Sequence, residues 1–360
     1  MRLKFILFGL LSAASLTMAA QGQGLPKFTT VKANPITSVK DQHRSGTCWC
    51  YATLGFIESE ILRQSGKTYD LCEMFVVNHD YMDCATHHMR MHGLSDFTEG
   101  GSADDVFDVI RQHGICPEEA MPAPGSLCGD TLANFTQFHP ELTKMVKAYA
   151  STKEPHPDPL WKTTVQSFID QHVGESPKEF VYEGKTYTPQ TFAQSLGIDW
   201  DNYVSLTSFT HHPFYQDFVI EAPYKWRLKP SYNIPVDQLM EALDHALLNG
   251  FCVDWGGDVS GDFYYEGIAM RSDSAEVTQE MRQQQFDDWT FTYDHVMLIY
   301  GIAHDEHGKK YYMVKNSWGN RGHKGTWYMS ADYIKLNTTY IYLCKDALTE
   351  NLKSRINNRM

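Results

Sequence analysis

In the stretch DQHRSGTCWCYATLGFIESEI, residues 41–61, Cys48 has a setting that suits a nucleophilic thiol. Such a cysteine needs a lowered pKa, a base to pair with, and donors for the oxyanion formed when a carbonyl is attacked. Cys48 follows the turn Ser45–Gly46–Thr47 and opens a predicted helix, where unpaired N–H groups and the helix dipole favour a thiolate. Gln42, six residues upstream, offers a side-chain amide to an oxyanion beside the backbone N–H of Cys48. The local stretch leaves other readings open. A buried cysteine is commonly an inert small hydrophobe, and Cys48 with Cys50 raises the question of a metal or disulfide pair. On a helix two positions are turned by about 200°, which points the two Cβ vectors apart and argues against the disulfide.

The base must come from a histidine brought close by folding. Of 16 histidines, His295 stands out because it begins an apolar strand, DHVMLIYGI. A second strand, KYYMVKNSWGN, delivers Asn316, whose amide oxygen would fix the orientation and tautomer of the ring. Trp318 is placed to cover that hydrogen bond from water. The pairs His87–His88 and His211–His212 invite a metal reading, but adjacent histidines on a strand point to opposite faces, so neither pair makes a site by itself. There is no C-x-x-C pair and no His/Cys cluster at zinc-ligand spacing, so no metal is expected. The eight cysteines are scattered; Cys116 and Cys128 are close enough in sequence to close a loop.

These residues must be held by larger elements. Apolar spacing predicts a helix over 49–64, with Ala52, Leu54, Ile57 and Ile61 inward, Glu58, Glu60 and Arg63 outward, and Gly66 as its stop. Its first turn is apolar all round, as in a helix whose start is buried. A second helix is predicted in LCEMFVVNHDYMDCATHHMRM and a third in ADDVFDVIRQHG, between Gly100–Gly101 and Gly114. Residues 116–230 are less regular: KEPHPDPL reads as a turn, LWKTTVQSFIDQHVG as a helix, and VYEGKTY as a hairpin over Glu183–Gly184. After the helix VDQLMEALDHALLNG come the short runs FCVDW, HVMLIYGI, KYYMVKNSW, GTWYMS and TYIYLC, which read as strands. Helices first and strands later give an α+β fold with two lobes, and the space between such lobes is where a site is expected.

Gln42, SGTCW around Cys48, Asp294–His295 and KNSWG at Asn316 together resemble the papain superfamily of cysteine peptidases. NSWGNRGHKG, the run EMFVVNHDYMD and the long separation of Cys48 from His295 are similar to its bleomycin hydrolase and aminopeptidase C branch. The resemblance covers roughly residues 34–352, firm at both ends and thin in the middle. It implies a papain-like fold, with a helical N-terminal lobe over 34–230 that includes a middle insertion, a β-rich lobe over 231–346, and a tail over 347–360. It also implies Cys48 as nucleophile, His295 as general base and then acid, Asn316 as orienting residue and Gln42 as oxyanion donor. Gly100 and Gly101 would lie along the extended substrate chain, where bare backbone is needed; the alternative is that they merely end a loop. Trp49 and Trp318 are the expected supporting residues, and Cys50 falls where such enzymes keep a packing residue.

The implied reaction is peptide hydrolysis through an acyl-enzyme, without cofactor. The branch trims amino termini, limits itself by threading its C-terminal arm into the cleft, and assembles as homo-hexamers. Here NLKSRINNRM follows soon after the strand TYIYLC, so an aminopeptidase is favoured over an endopeptidase by a narrow margin and the hexamer is in question. An acyl-enzyme can also be intercepted by an amine, which keeps an acyltransferase open. A non-catalytic peptide-binding homologue is opposed by the intact set of four residues.

MRLKFILFGLLSAASLTMAA reads as a signal peptide over 1–20, with a basic start, a short apolar run and small residues at its end, followed by a short leader over 21–33. A periplasmic or extracellular protein is expected. Removing that segment lowers Lys plus Arg from 31 to 29 against 44 acidic residues, a charge of −15. So acidic a chain has no electrostatic grip on nucleic acid or anionic lipid. Peptides are the expected partners.

Overall fold

The computed structural model describes residues 26–121, 132–151, 159–260, 263–264, 267–271 and 275–358. The signal peptide, Cys128 and most of KEPHPDPL lie outside them. The first helix, α1 (Cys48–Ser65), ends where Gly66 enters the left-handed region at φ 71° and its N–H donates to Leu62 O. Helix α2 (Glu73–Arg90) follows, then α3 (Ala103–His113), opened by a reciprocal cap in which the Ser102 N–H donates to Asp105 Oδ2 at 2.7 Å. α4 (Phe138–Ala150) and α5 (Trp161–Val173) pack against α2, and the short α6 (Pro189–Ser195) against α3. No helix among the described residues is long and apolar enough to cross a membrane.

The strands are β1 (Thr29–Ala33), β2 (Phe180–Tyr182), β3 (Lys185–Tyr187), β4 (Tyr203–Thr207), β5 (Asp217–Phe218), β6 (Ser231–Asn233), β7 (Val253–Gly257), β8 (Phe263–Tyr264), β9 (Ile268–Ala269), β10 (His295–His304), β11 (Lys310–Lys315), β12 (Thr326–Ser330) and β13 (Thr338–Cys344). β2 and β3 form the hairpin over Glu183–Gly184. The others make one sheet in the order β5-β6-β4-β13-β7-β10-β11-β12-β9-β8, with β1 also on β10. Helix α7 (Val236–Leu248) packs on this sheet, and α1 lies across β10 and β7. The result is an α+β, papain-like fold.

The structure differs from the sequence expectations, or adds to them, at three places. The leader supplies β1, and residues 203–218, assigned to the helical lobe, supply β4 and β5. These strands are too short to show alternation and stand among Pro-rich and aromatic stretches. Glu58 and Glu60 face inward, being 2% and 0% exposed. Glu58 accepts from Thr37 Oγ1 at 2.5 Å and the Leu71 N–H at 2.8 Å, while Glu60 accepts two bonds from Arg63, whose guanidinium lies 3.9 Å from the Phe251 ring. Helix α1 is therefore buried all round over its first fourteen residues, Cys48 to Ile61, with its charges paired. The tail residues form a helix, Glu350–Asn357, that buries Leu352 and Ile356 in the core.

Candidate active site

β10 and β11 run antiparallel with Leu298 opposite Lys315. β11 ends at Lys315, so Asn316 is the first residue beyond it, and His295 is the first residue of the neighbouring β10. His295 Nε2 donates to Asn316 Oδ1 at 2.9 Å in a buried contact. The Trp318 ring stacks on the imidazole with centroids 4.9 Å apart, and Trp327 meets Trp318 edge-on. With Nε2 engaged, Nδ1 is the ring nitrogen left for the cleft.

Opposite these strands, the turn before α1 is braced from inside. Ser45 Oγ donates to Gln42 O at 2.7 Å and contacts Thr47 Oγ1 at 2.6 Å. The Gly46 N–H donates to the Glu99 carboxylate. Gln42 is fixed at both ends of its amide: Nε2 donates one hydrogen to Ser45 O at 2.7 Å, and Oε1 accepts from Ser317 Oγ at 2.6 Å. Its second amide hydrogen remains. The N–H of Cys48, in the first helical turn, has no intrahelical acceptor. Gln42, Cys48, Trp49, Gly100, Gly101, His295 and Trp318 all line one cleft of about 460 Å3. Cys50 does not; its thiol donates to Glu73 O at 3.4 Å, toward α2.

The electrostatics differ from the expected thiolate. Burial pushes the Cys48 thiol up to about 12, and the N–H groups of Val296 and Trp49 offset this only in part. Burial likewise holds the His295 imidazolium down, at about 4, against the raising effect of the Asn316 bond. The helix start is outweighed because Cys48 is only 8% exposed. Burial therefore favours the neutral form of each side chain.

The two glycines differ. A Cβ on Gly101 would lie 2.8 Å from the Trp49 indole, so Gly101 permits close packing. A Cβ on Gly100 would meet only Tyr224 Cβ, at 3.7 Å, and would otherwise project into open space. Tyr224 and Tyr293, edge-on at 5.6 Å, complete the wall. Neither was legible in the sequence, since aromatic residues in an aperiodic stretch carry no signal. The Tyr224 segment is anchored by Lys225, paired with Asp104 at 2.6 Å, and by Arg227, paired with Asp80 and Asp105. Ser317, within KNSWG, likewise carries no local signal of its contact with Gln42.

His211 and His212 depart from the strand geometry expected of them. They lie in a bend beyond β4, and both rings turn toward Glu221: His211 Nε2 is 3.0 Å from Oε2 and His212 Nε2 is 3.1 Å from Oε1. His87 and His88 lie on α2. All described cysteines are free thiols, and Cys116 neighbours Cys72, whose N–H donates to Cys116 O at 3.1 Å.

Comparison with known proteins shows the family. The model of the papain family cysteine proteases matches residues 26–182, and that of the peptidase C1-like family matches residues 162–360, more than half the chain. The chain belongs to the peptidase C1-like family. Among curated relatives of this cysteine peptidase, aminopeptidase E of Lactobacillus helveticus is 23% identical over 365 residues, covering 88% of this chain and 83% of the relative. Aminopeptidase C of the same organism is 22% identical over 400 residues, covering 93% and 88%. The crystal structure of PepW from Lactobacillus rhamnosis shares the fold, with a TM-score of 0.75 at 19% identity over 92% of this chain and 85% of that one.

Proposed function

We propose that this peptidase removes residues from the amino termini of oligopeptides through a Cys-His-Asn mechanism. Cys48 attacks the scissile carbonyl as His295 takes its proton. The oxyanion is met by the Gln42 amide and the Cys48 N–H, and the His295 imidazolium protonates the leaving amine. Water, activated by the same imidazole, then releases the acyl group. Asn316 holds the ring throughout. The observation that carries this reading is the joint lining of one cleft by Gln42, Cys48 and His295, with His295 bonded to Asn316 at 2.9 Å. The names of the full-length relatives support amino-terminal action. Export to the periplasm or medium is the destination supported by MRLKFILFGLLSAASLTMAA.

An endopeptidase is the second reading. A peptide panel, free and N-acetylated, decides between the two by mass spectrometry. Cleavage confined to free peptides, one residue at a time, is expected; equal cleavage of both sets would establish the endopeptidase. Loss of all hydrolysis in Cys50→Ala with full retention in Cys48→Ala would overturn the site.

A further inference from the structure

The histidine pair beyond β4 belongs to no part of the peptidase mechanism, yet its geometry is that of a ligand set. His211, His212 and Glu221 each present one ligand atom, and these atoms lie within 4.8 Å of one another. A four-coordinate zinc with bonds of about 2.0–2.1 Å needs donors roughly 3.4 Å apart. The two His–Glu separations, 3.0 and 3.1 Å to the two carboxylate oxygens, are near that value, and the ligand atoms all lie within 4.8 Å of one another.

The surroundings hold the rings as metal ligands are held. The Phe286 ring stacks on His211 with centroids 5.1 Å apart, and Phe218 on His212 at 4.2 Å. His211 Nδ1 faces the amide of buried Gln283, 3.0 Å from Nε2 and 3.3 Å from Oε1. Gln283 is itself fixed, donating to Asp287 Oδ1 at 2.9 Å and accepting from the Thr210 N–H at 2.5 Å. One amide thus serves either tautomer. With Nε2–H donating to Glu221, Nδ1 accepts from the amide nitrogen. With a cation on Nε2, the ring proton sits on Nδ1 and donates to the amide oxygen, the arrangement that orients a ligating imidazole.

We propose that His211, His212 and Glu221 form a binding site for a divalent cation of the zinc class, with water completing its coordination. Two imidazoles and a carboxylate select borderline transition ions over magnesium or calcium. The site also touches the peptide cleft. Glu221 O accepts from Tyr293 OH at 3.2 Å, and Pro223 and Tyr224, two and three residues on, line the cleft with Tyr293. A bound cation fastens the start of that wall to the bend after β4.

Titration of the full chain with cobalt(II), after Cys48 is blocked by iodoacetamide, tests the site. One cobalt per chain is expected, with d–d absorption of nitrogen and oxygen ligation and no thiolate charge-transfer band. Glu221→Gln and His212→Asn, both at partly exposed positions, are each expected to weaken binding by about tenfold or more. Thermal unfolding in chelator identifies any variant with a damaged fold, and the other variant then decides. Failure to saturate with millimolar cobalt, undiminished binding in a folded variant, or a thiolate band would overturn the proposal.

Discussion

The Ser317 hydroxyl donates to Gln42 Oε1 at 2.6 Å, and the N–H of the same residue donates to Asn316 Oδ1 at 2.8 Å. One side chain and its own backbone therefore brace the proposed oxyanion donor and the residue that orients His295. Ser317→Ala leaves Gln42 Oε1 without that partner in a buried setting, a loss of about 1–3 kcal/mol. With Gln42 as the proposed oxyanion donor, part of this loss falls on the transition state. A drop in kcat of about tenfold is expected, with KM little changed. Steady-state kinetics checks this; a rise in KM alone would assign Ser317 to substrate binding.

Burial of the Cys48 thiol and the His295 imidazole predicts a particular pH behaviour. Below its pKa of about 12 the Cys48 thiol gains thiolate about tenfold per pH unit. Alkylation of the peptide-free protein by iodoacetamide should keep rising through neutral and alkaline pH. A plateau at acid pH would reveal a thiolate–imidazolium pair instead. His295, depressed to about 4, stays unprotonated well below the pH at which a free imidazole would charge. The acid limb of kcat/KM should therefore fall nearer 4 than the usual histidine value of about 6.5. The Asn316 bond raises this pKa, so Asn316→Ala should move the limb lower while also reducing kcat.

Gly100 and Gly101 separate substrate contact from packing. Gly101→Ala drives a methyl against buried Trp49, whose Nε1 donates to Glu99 O at 3.2 Å. Such overpacking costs about 1–3 kcal/mol and should lower the unfolding midpoint. Gly100→Ala meets nothing nearer than 3.7 Å and should unfold like the parent chain. Its methyl stands in the cleft, so KM for peptides should rise several-fold if the backbone pairs with substrate. Thermal unfolding and peptide kinetics on the two variants test the distinction.

What the sequence disclosed follows from how local each signal is. Helix α1, its glycine stop and the strands bearing His295 and Asn316 were readable because long apolar runs and a helix-ending glycine depend on neighbours only. Gln42, Cys48, His295 and Asn316 stand at the ends of those runs, and the fold brings them to one place. Glu58 and Glu60 were read as outward because their partners Thr37, Leu71 and Arg63 are supplied by the fold or by a bend of the side chain. Tyr224 and Tyr293 reach the cleft from aperiodic segments. His211 and His212 converge because the backbone bends where a strand was assumed.

Arg227 supplies the last prediction. Its guanidinium, 9% exposed, donates to Asp80 at 2.8 Å, Asp83 at 3.1 Å and Asp105 at 3.1 Å, joining the segment behind Tyr224 to α2 and α3. Burial raises the pKa of Asp80 and Asp105, and Arg227 works against that rise. Arg227→Met takes that compensating charge away from both buried carboxylates, a loss of about 3–5 kcal/mol. Without the guanidinium their folded-state pKa values climb further above the unfolded ones, so the folded state prefers them protonated. The deficit is then largest at alkaline pH and shrinks as the pH falls through the raised folded values toward the unfolded ones. Denaturant unfolding of both proteins at mildly alkaline and mildly acid pH measures it, and a deficit equal at the two would show that Arg227 acts through packing on Trp226 and not through its charge.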